Sequence, residues 1–494
     1  MKMTASPMDP VRNEKPPVGE MENTIPLKKQ IGLTTALSFI IGSVIGSGIF
    51  ISPKGIVEGV GSVGATLCIW MLCGLISISF ACIYAELGTI IHVHGGDYIY
   101  IVEAFRDKHK FFGPLPGFLN IWMKLMLQAP ASMAVLALAF SHYITDPLFP
   151  DGCGPPEFIL KTIAVTTILT VTMINVYSIS MAASVQNIFT AIKTAAVVMI
   201  SVVGIIRILQ GQTDILASGF EGTVVTAGSI AIACYKGLWA YGGSECVNII
   251  AEEIINPRRN IPLGIFLGLG LVTMVYMLTN VSYFTVLSPA ALVASGAVAV
   301  SWGEEALGVA AFIIPISVCC SVFGALNGSM FSNGRSWFAA GREGHLPSIL
   351  SMVHVERVTP APAIIFQAVM ALIYMGLTDI FTLINYAVFA EWVFRLVTIA
   401  ACIVFRFTMK DAKRKFTTPN IILAINILIG LFLTVVPIVN DPRVEFLYAT
   451  LLILFGVVFY VPLVYYRIHI PFSDDVCCML QVFMEVVPTK KTLE

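Results

Sequence analysis

The stretch IGSVIGSGIF, Ile41 to Phe50, decides the fold because it places three glycines inside an apolar run long enough to cross a bilayer. A second interrupted stretch, LWAYGGSEC, runs from Leu238 to Cys246 inside another such run. A membrane helix satisfies its own backbone, so clustered glycine at membrane depth is tolerated only where the freed backbone is buried in protein or lines a cavity. Two such breaks at corresponding places in two halves of a chain indicate a midplane binding site of a secondary transporter.

The composition predicts an all-α integral membrane protein. The 494 residues are 57% hydrophobic and only 12% charged, whereas soluble domains carry about 25% charged residues. Residues 1–31 are polar and rich in proline, without the apolar core of a secretory signal peptide, so we expect a disordered cytosolic amino terminus. Apolar runs of about 20 residues predict twelve spans, numbered here in chain order: 32–58, 64–91, 114–143, 158–177, 184–209, 227–250, 262–287, 306–332, 361–376, 379–405, 420–439 and 445–467.

The distribution of basic residues predicts the orientation of these spans. With the amino terminus inside, 21 of the 29 Lys and Arg residues fall in cytosolic segments, and three (Lys54, Arg207 and Arg443) fall in outer segments. This asymmetry satisfies the positive-inside rule and predicts that both termini are cytosolic.

The order of the spans predicts an internal repeat. Spans one to five (32–209) and spans six to ten (227–405) each begin with an interrupted helix. Because five is odd, the second copy enters the membrane in the opposite orientation, which is the inverted-topology arrangement. Spans eleven and twelve (420–467) lie outside the repeat, and a cytosolic tail (468–494) follows.

The chemistry of the two breaks favours an α-amino acid as the ligand. A helix that restarts near Ile49, after Ser47 and Gly48, exposes free N–H groups and a positive dipole end, which suit a carboxylate. The segment from Trp239 to Gly243 leaves carbonyl oxygens without intrahelical partners, and these suit an ammonium group. The alternative for each glycine pair is close helix packing.

Charged residues inside spans are the second functional signal, since each costs about 2.5 to 3.5 kcal/mol at a helix centre. Glu391 and Arg395 are four residues apart and share a helix face, so they could neutralise each other. Lys193 could stand where a coupling cation would bind, which would make transport independent of sodium, and sodium-coupled symport is the alternative. The intramembrane candidates are Glu86, Lys193, Lys236, Glu391 and Arg395.

Of eleven cysteines, only Cys153 falls in an outer loop, within the proline-rich and glycine-rich sequence PLFPDGCGPPE. An unpaired cysteine in an oxidising compartment suggests an intermolecular disulfide. The alternative is an inert free thiol.

The sequence lacks the signatures of other classes of function. The sequence places no His/Asp/Glu or Cys/His constellation at one membrane depth, so we expect neither an enzyme nor a metal or organic cofactor. A channel or membrane receptor is the alternative of another class, but a channel would usually show a repeated pore loop or a ring of charges. We expect the bilayer and small solutes as partners, and no nucleic acid.

Long motifs from Leu27 to Pro488 make the chain resemble the light subunits of heteromeric amino-acid transporters, in particular the b(0,+)-type exchangers, with the cystine/glutamate and aspartate/glutamate-type light chains nearby. They are IIGSVIGSGIFISPKG, YAELGT, GLWAYGG, EEIINPRRNIPL, NVSYFTVLSP, AGREGHLPSILSMVHV, TPAPAIIF and LQVFMEVVP. The resemblance implies a twelve-span LeuT-like fold with a 5+5 inverted repeat and discontinuous helices one and six. It also implies sodium-independent exchange of amino acids across the plasma membrane.

The resemblance also assigns roles to individual residues. Cys153 matches the cysteine that binds a single-span, rBAT-like or related glycoprotein heavy chain, and Lys193 matches the lysine that replaces a sodium ion. Trp239 additionally matches the proximal gate. Substrate contacts are implied for the carboxylate-binding turn at Val44, Ser47 and Gly48, and for the amino-group contacts at Trp239, Ala240 and Gly242.

Departures from the family pattern bear on the side chain of the substrate. Gly242 stands where the b(0,+) pattern has the aspartate that would bind a basic side chain, and Ser244 replaces a tryptophan. Gln128 and Glu391 stand where the cystine/glutamate exchanger has arginines. We therefore predict an exchanger of neutral amino acids, with basic amino acids or cystine also accepted and Glu391 contacting a basic side chain. An anionic exchanger is the alternative, because the GGSEC run is similar to the aspartate/glutamate type and Lys236 or Arg395 could supply a positive charge.

Overall fold

The computed structural model describes residues 32–91, 96–145, 148–149, 154–224, 226–244, 254–377, 380–410, 412, 414, 416–440, 444–467 and 473–488. Across these residues the chain is almost entirely helical, as the composition predicts. The first span consists of two helices, Leu33–Val44 and Gly48–Val60, separated by a bend at 45–47.

The other spans are single helices in the described part of the chain. Spans two to five run over Val63–Ile90, Leu115–Thr145, Glu157–Tyr177 and Ile179–Leu209, and the third contains a π-helical turn at Lys124–Gln128. Spans six to twelve run over Ala227–Ala240, Pro257–Tyr283, Ile313–Arg342, Ala361–Leu377, Ile380–Thr408, Asn420–Asn440 and Val444–Tyr460. Short helices lie between or after them at Asp97–Phe105, Asp214–Ala217, Pro289–Ala294, Val298–Leu307 and Ser473–Met484.

Nine of the helices in the described ranges are long and apolar enough to cross a membrane. The three remaining spans are the two interrupted ones and the 17-residue helix Ala361–Leu377. Their shortness has a local cause in the first and sixth spans, where the glycine-bearing breaks divide the apolar run. Spans eleven and twelve expose leucine and isoleucine, including Ile421 and Leu428, which a bilayer rather than water would cover.

The eighth span differs from its prediction. The helix runs over Ile313–Arg342 rather than 306–332, because Gly308 has a positive φ of 54° and ends the preceding helix Val298–Leu307. Pro315 lies in the first turn, where a missing N–H costs nothing. The apolar run therefore belongs partly to this preceding helix, which hydropathy alone cannot separate.

A small two-stranded sheet was not predicted. Strand Met352–His354 pairs in antiparallel fashion with strand Val486–Pro488, so the end of the chain returns to the segment between spans eight and nine. Pairing between two three-residue strands so distant in sequence leaves no local periodicity from which to predict it.

The helices pack as two corresponding sets. Helix Gly48–Val60 of span one packs along Ala227–Ala240 of span six, span two packs on span seven, and span three on span eight. Span three also contacts spans nine and ten, and span eight contacts spans four and five in the same way. A five-helix repeat predicts this correspondence, and its bounds of 32–209 and 227–405 remain a prediction.

Candidate functional site

The break in span one falls where the glycines predict it. Helix Leu33–Val44 ends at Ile45, whose backbone is extended, and the next helix begins at Gly48. Ser47 is buried and its side chain caps no amide of the new helix, while its carbonyl accepts from the Phe50 and Ile51 amides. The amino-terminal turn of helix Gly48–Val60, including Ile49, therefore presents its N–H groups and positive dipole end inside the protein.

The break in span six follows Ala240. A tight turn continues the chain, in which the amides of Tyr241 and Gly242 donate to the carbonyls of Leu238 and Trp239, at 3.1 and 3.2 Å. The Trp239 carbonyl thus has a partner within the turn, whereas the sequence predicts that this segment leaves carbonyls without intrahelical partners. Ser244 is buried, and Glu245 lies outside the described residues.

The two breaks touch each other, so the predicted site residues come together. A Cβ added at Gly48 would lie 2.4 Å from the Ala240 Cα and 2.7 Å from the Ala240 Cβ. Gly243 has φ 92°, and a Cβ there would lie 3.0 Å from the Ser43 carbonyl oxygen. Glycine is needed at both positions because backbone approaches backbone, which is the close contact that the packing alternative predicted. Here, however, the packed surfaces are the breaks themselves.

Tyr276 of span seven joins the two breaks, and the sequence prediction missed it. Its hydroxyl lies 2.8 Å from the Val44 carbonyl oxygen and 3.1 Å from the Ala240 carbonyl oxygen. Both carbonyls are at helix ends, where intrahelical donors run out. The only available sequence signal was a tyrosine within an apolar span, since a buried hydroxyl there needs an acceptor.

Lys193 lies next to the first break. Its side chain is 1% exposed, and its ammonium group donates to the Gly42 carbonyl at 2.5 Å. A fixed positive charge thus contacts span one two residues before Val44. Among the described residues no group of three or more His, Cys, Asp or Glu side chains could hold a metal ion.

Glu391 and Arg395 form the ion pair that their spacing allows. The guanidinium of Arg395 also lies over the rings of Phe80 and Trp392, at 4.7 and 4.9 Å from the centroids. The Glu391 carboxylate therefore already has a cationic neighbour. Its contact with a basic substrate side chain stays a prediction, and such a side chain would have to compete with Arg395.

Lys236 joins span six to span ten. Its ammonium group donates to the Phe381 carbonyl and to the Asn385 amide oxygen, both at 2.8 Å, and it lies 4.7 Å from the centroid of the Phe381 ring. The residue is 4% exposed. Its charge is thus used to hold two helices together.

Glu86 is fully buried near the carboxyl end of span two. Its carboxylate accepts from the Arg406 guanidinium at 2.6 and 3.0 Å, and from the Thr418 amide at 2.8 Å. Arg414 lies 3.9 Å away. These contacts tie span two to span ten and to the segment before span eleven, so this intramembrane charge has a structural role.

Contacts with neighbouring segments hold helix Gly48–Val60 in place beside the breaks. The Tyr143 hydroxyl donates to the Phe50 carbonyl at 2.7 Å, and Lys54 donates to the Ser295 carbonyl at 3.0 Å. Beyond them lies a cavity of about 600 Å³, lined in part by Phe50, Lys54, Tyr143 and Phe381. At the breaks themselves, Ser43 is exposed and Gly243 is half-buried.

Twelve spans with two interrupted helices that meet each other define a secondary transporter of the LeuT-like class. The chain belongs to the amino acid permease family, whose model matches residues 31–459.

Individual relatives match over nearly the whole chain. This chain is 43% identical to the b(0,+)-type amino acid transporter 1 of Mus musculus over 95% of this chain and 96% of that protein. It is 42% identical to the protein of that name from Homo sapiens, over 98% of each chain. It is also 43% identical to the large neutral amino acids transporter small subunit 2 of Homo sapiens, over 87% of this chain and 79% of that one. These relatives are transporters, not enzymes.

Proposed function

We propose that this protein is a sodium-independent amino-acid exchanger of the plasma membrane that acts as the light chain of a disulfide-linked heteromer. The observation that carries the proposal is the meeting of the two breaks at Gly48 and Ala240. It sets helix N–H groups, which suit a carboxylate, beside carbonyl oxygens, which suit an ammonium group. Only an α-amino acid offers both groups on one carbon atom, and the names of the relatives agree with that class.

The substrate contacts follow from the two breaks. We assign the carboxylate to the turn at Val44, Ser47, Gly48 and Ile49, and the ammonium group to Trp239, Ala240 and Gly242. These groups bind the carboxylate and ammonium groups that all α-amino acids share. The side chain of the substrate is therefore recognised elsewhere, near Ser244 and Glu391. Neutral amino acids are the preferred class, because Gly242 provides no carboxylate for a basic side chain.

An anionic substrate is not favoured. The two positive charges that could have bound a second carboxylate are already engaged, Lys236 with Phe381 and Asn385, and Arg395 with Glu391. The relatives named above transport neutral or b(0,+)-type substrates by name. Basic amino acids and cystine remain within the proposal.

Lys193 supports independence from sodium. Its ammonium group places a positive charge at the Gly42 carbonyl beside the first break, where a coupling ion would otherwise balance the freed backbone oxygens. Because this group is covalently attached, it cannot leave the site as a bound sodium ion can. The conformational change of the carrier would then depend on its amino-acid substrates alone, which favours exchange over symport.

The transport cycle would alternate access around the two breaks. Hydrogen bonds from Tyr143 to Phe50 and from Lys54 to Ser295 hold helix Gly48–Val60 against its neighbours, and we assign these contacts to the outer side. Opening outward requires these contacts to break, while Gly48 and Ala240 stay together. Rocking of one set of helices against the other, with a counter-substrate for the return, accounts for exchange.

The test is counterflow in proteoliposomes that contain the purified protein and are preloaded with one amino acid. We expect uptake of labelled leucine only with an amino acid inside, at the same rate when choline replaces sodium. Uptake of labelled arginine and cystine would show that the substrate range includes basic amino acids and cystine, and labelled glutamate should not exchange. Uptake into proteoliposomes that contain no internal amino acid, or uptake that is lost without sodium, would contradict the proposal.

The heavy-chain partner rests on Cys153, which lies outside the described residues. We expect wild-type protein from cells that make a heavy chain to run on a non-reducing gel as a larger complex, and Cys153→Ser to run as the 53.5 kDa chain alone. Cys68→Ser, which removes an exposed cysteine of span two, is the matched control and should keep the complex. A Cys153→Ser variant that runs like the wild type would exclude this disulfide.

A further inference from the structure

The turn RDKHKFF, residues 106–112, joins helix Asp97–Phe105 to span three and combines charged side chains with an exposed aromatic ring. Residues 106–110 are exposed, and Phe112 is 63% exposed. The distribution of basic residues assigns this connection to the cytosolic side. A turn that is only solvated would account for the charges, but it gives no reason for a phenyl ring beside them.

The turn has a fixed shape. The Nδ1 atom of His109 accepts from the amides of Phe111 and Phe112, at 3.1 and 3.2 Å, and the Gly113 amide donates to the His109 carbonyl at 2.8 Å. A Cβ added at Gly113 would lie 2.5 Å from the carbonyl oxygens of Arg106 and His109, so only glycine fits there. The side chains of the turn are therefore presented by an ordered backbone.

The ring of Phe111 sets the depth of the turn relative to the membrane. Its centroid lies 5.4 Å from that of Tyr460 and 5.1 Å from that of Tyr465, and the Tyr460 hydroxyl donates to the Phe111 carbonyl at 2.5 Å. Tyr465 ends the π-helical turn Val461–Tyr465 that closes span twelve. Tyrosines at the ends of spans lie at the membrane–water boundary. Phe112, the next residue, therefore lies at the level of the lipid headgroups.

Two lysines of the turn are available to a ligand. The guanidinium of Arg106 lies 3.5 Å from the Glu103 carboxylate and 3.9 Å from that of Glu343, so its charge is already balanced. Lys108 and Lys110 are exposed, and neither forms an ion pair with another of the described residues. The cytosolic leaflet carries anionic lipids, which attract basic residues next to a span.

We propose that residues 106–112 form a docking site for the headgroup of an anionic phospholipid of the cytosolic leaflet. The ammonium groups of Lys108 and Lys110 bind the phosphate by charge-assisted hydrogen bonds, and Phe112 enters the boundary beside the acyl chains. Asp107, the carboxylate within the turn, offsets part of the positive charge and so limits the affinity. The site is separate from the two breaks and goes beyond the proposed function.

Binding of phosphatidylserine to the full-length protein tests the site. The protein is stripped of lipid in detergent and titrated with phosphatidylserine or with phosphatidylcholine of the same acyl chains, and native mass spectrometry counts the bound lipids. We expect the wild type to bind phosphatidylserine more tightly. Lys108→Gln combined with Lys110→Gln should weaken phosphatidylserine binding at least about tenfold and leave phosphatidylcholine binding unchanged.

Two other single changes should act in opposite directions. Asp107→Asn removes the offsetting charge, so it should strengthen phosphatidylserine binding. Phe112→Ala removes the ring but no charge, so it should weaken the binding of both lipids by the same factor.

The matched control removes the same charge from other segments that are predicted to be cytosolic. Arg357 and Lys410 are both exposed. Arg357→Gln combined with Lys410→Gln should bind phosphatidylserine as the wild type does. A loss as large as that of the Lys108 and Lys110 variant would show that only total charge matters and would overturn the proposal.

Three further outcomes would overturn it. These are equal affinities of the wild type for the two lipids, an unchanged affinity of Asp107→Asn for phosphatidylserine, and displacement of that lipid by millimolar inorganic phosphate, which would mean a site for free anions. The thermal unfolding midpoint of the Lys108 and Lys110 variant should equal that of the wild type, because both side chains are exposed. None of these measurements depends on exchange, so failure of the proposed function would be seen separately.

Discussion

Replacing Gly48 with alanine should lower the exchange rate by about a hundredfold or more, since displacing a binding element by about 1 Å has an effect of that size. The added Cβ would lie 2.4 Å from the Ala240 Cα and 3.1 Å from the Ala240 amide nitrogen. Both are backbone atoms, so no side-chain rotation relieves the clash, and the two breaks must separate. The initial rate of leucine counterflow per reconstituted protein measures the effect.

Two further variants show that the effect belongs to this contact. Gly270→Ala changes a glycine in span seven that has no neighbour within 4 Å of its added Cβ, and it should exchange at the wild-type rate. Adding Ala240→Gly to Gly48→Ala removes the Ala240 Cβ but leaves its Cα in place, so it should restore little activity. Full exchange by Gly48→Ala, or full recovery in the double variant, would show that the breaks do not meet through their backbones.

Glu86→Gln is expected to destabilise the protein by about 3 to 5 kcal/mol, the usual cost of removing one partner from a buried ion pair. The carboxylate is fully buried and accepts from Arg406 and from the Thr418 amide. The neutral amide leaves the half-buried guanidinium of Arg406 without its counter-charge. Thermal unfolding of the purified protein in detergent should show a midpoint several degrees below that of the wild type.

A surface pair of the same charge types is the control for Glu86. Glu157 and Lys161 lie 2.7 Å apart with side chains 78% and 41% exposed, so Glu157→Gln should shift the unfolding midpoint very little. Combining Glu86→Gln with Arg406→Gln removes both charges of the pair and should recover part of the lost stability. Equal midpoints for Glu86→Gln and the wild type would mean that the pair contributes nothing.

Much of the fold could be predicted because its signals are local. Hydropathy located the spans, and glycines marked the helix breaks at Gly48 and after Ala240, both confirmed by the structure. The pairing of Glu391 with Arg395, which the sequence left open as an alternative, also needed only helical spacing. The start of span eight was wrong, because a hydropathy window joins two apolar helices that Gly308 separates.

The sequence by itself determined that this chain is a twelve-span membrane transporter whose first and sixth helices are interrupted, because hydropathy, glycine and charge act within one or two helical turns. Only the tertiary structure decided that Gly48 meets Ala240, that Tyr276 joins their two breaks, and that Glu86 is held by Arg406. Each of these contacts links residues on different helices. Such contacts depend on how the helices pack, and helix packing is set by the whole bundle rather than by any one segment.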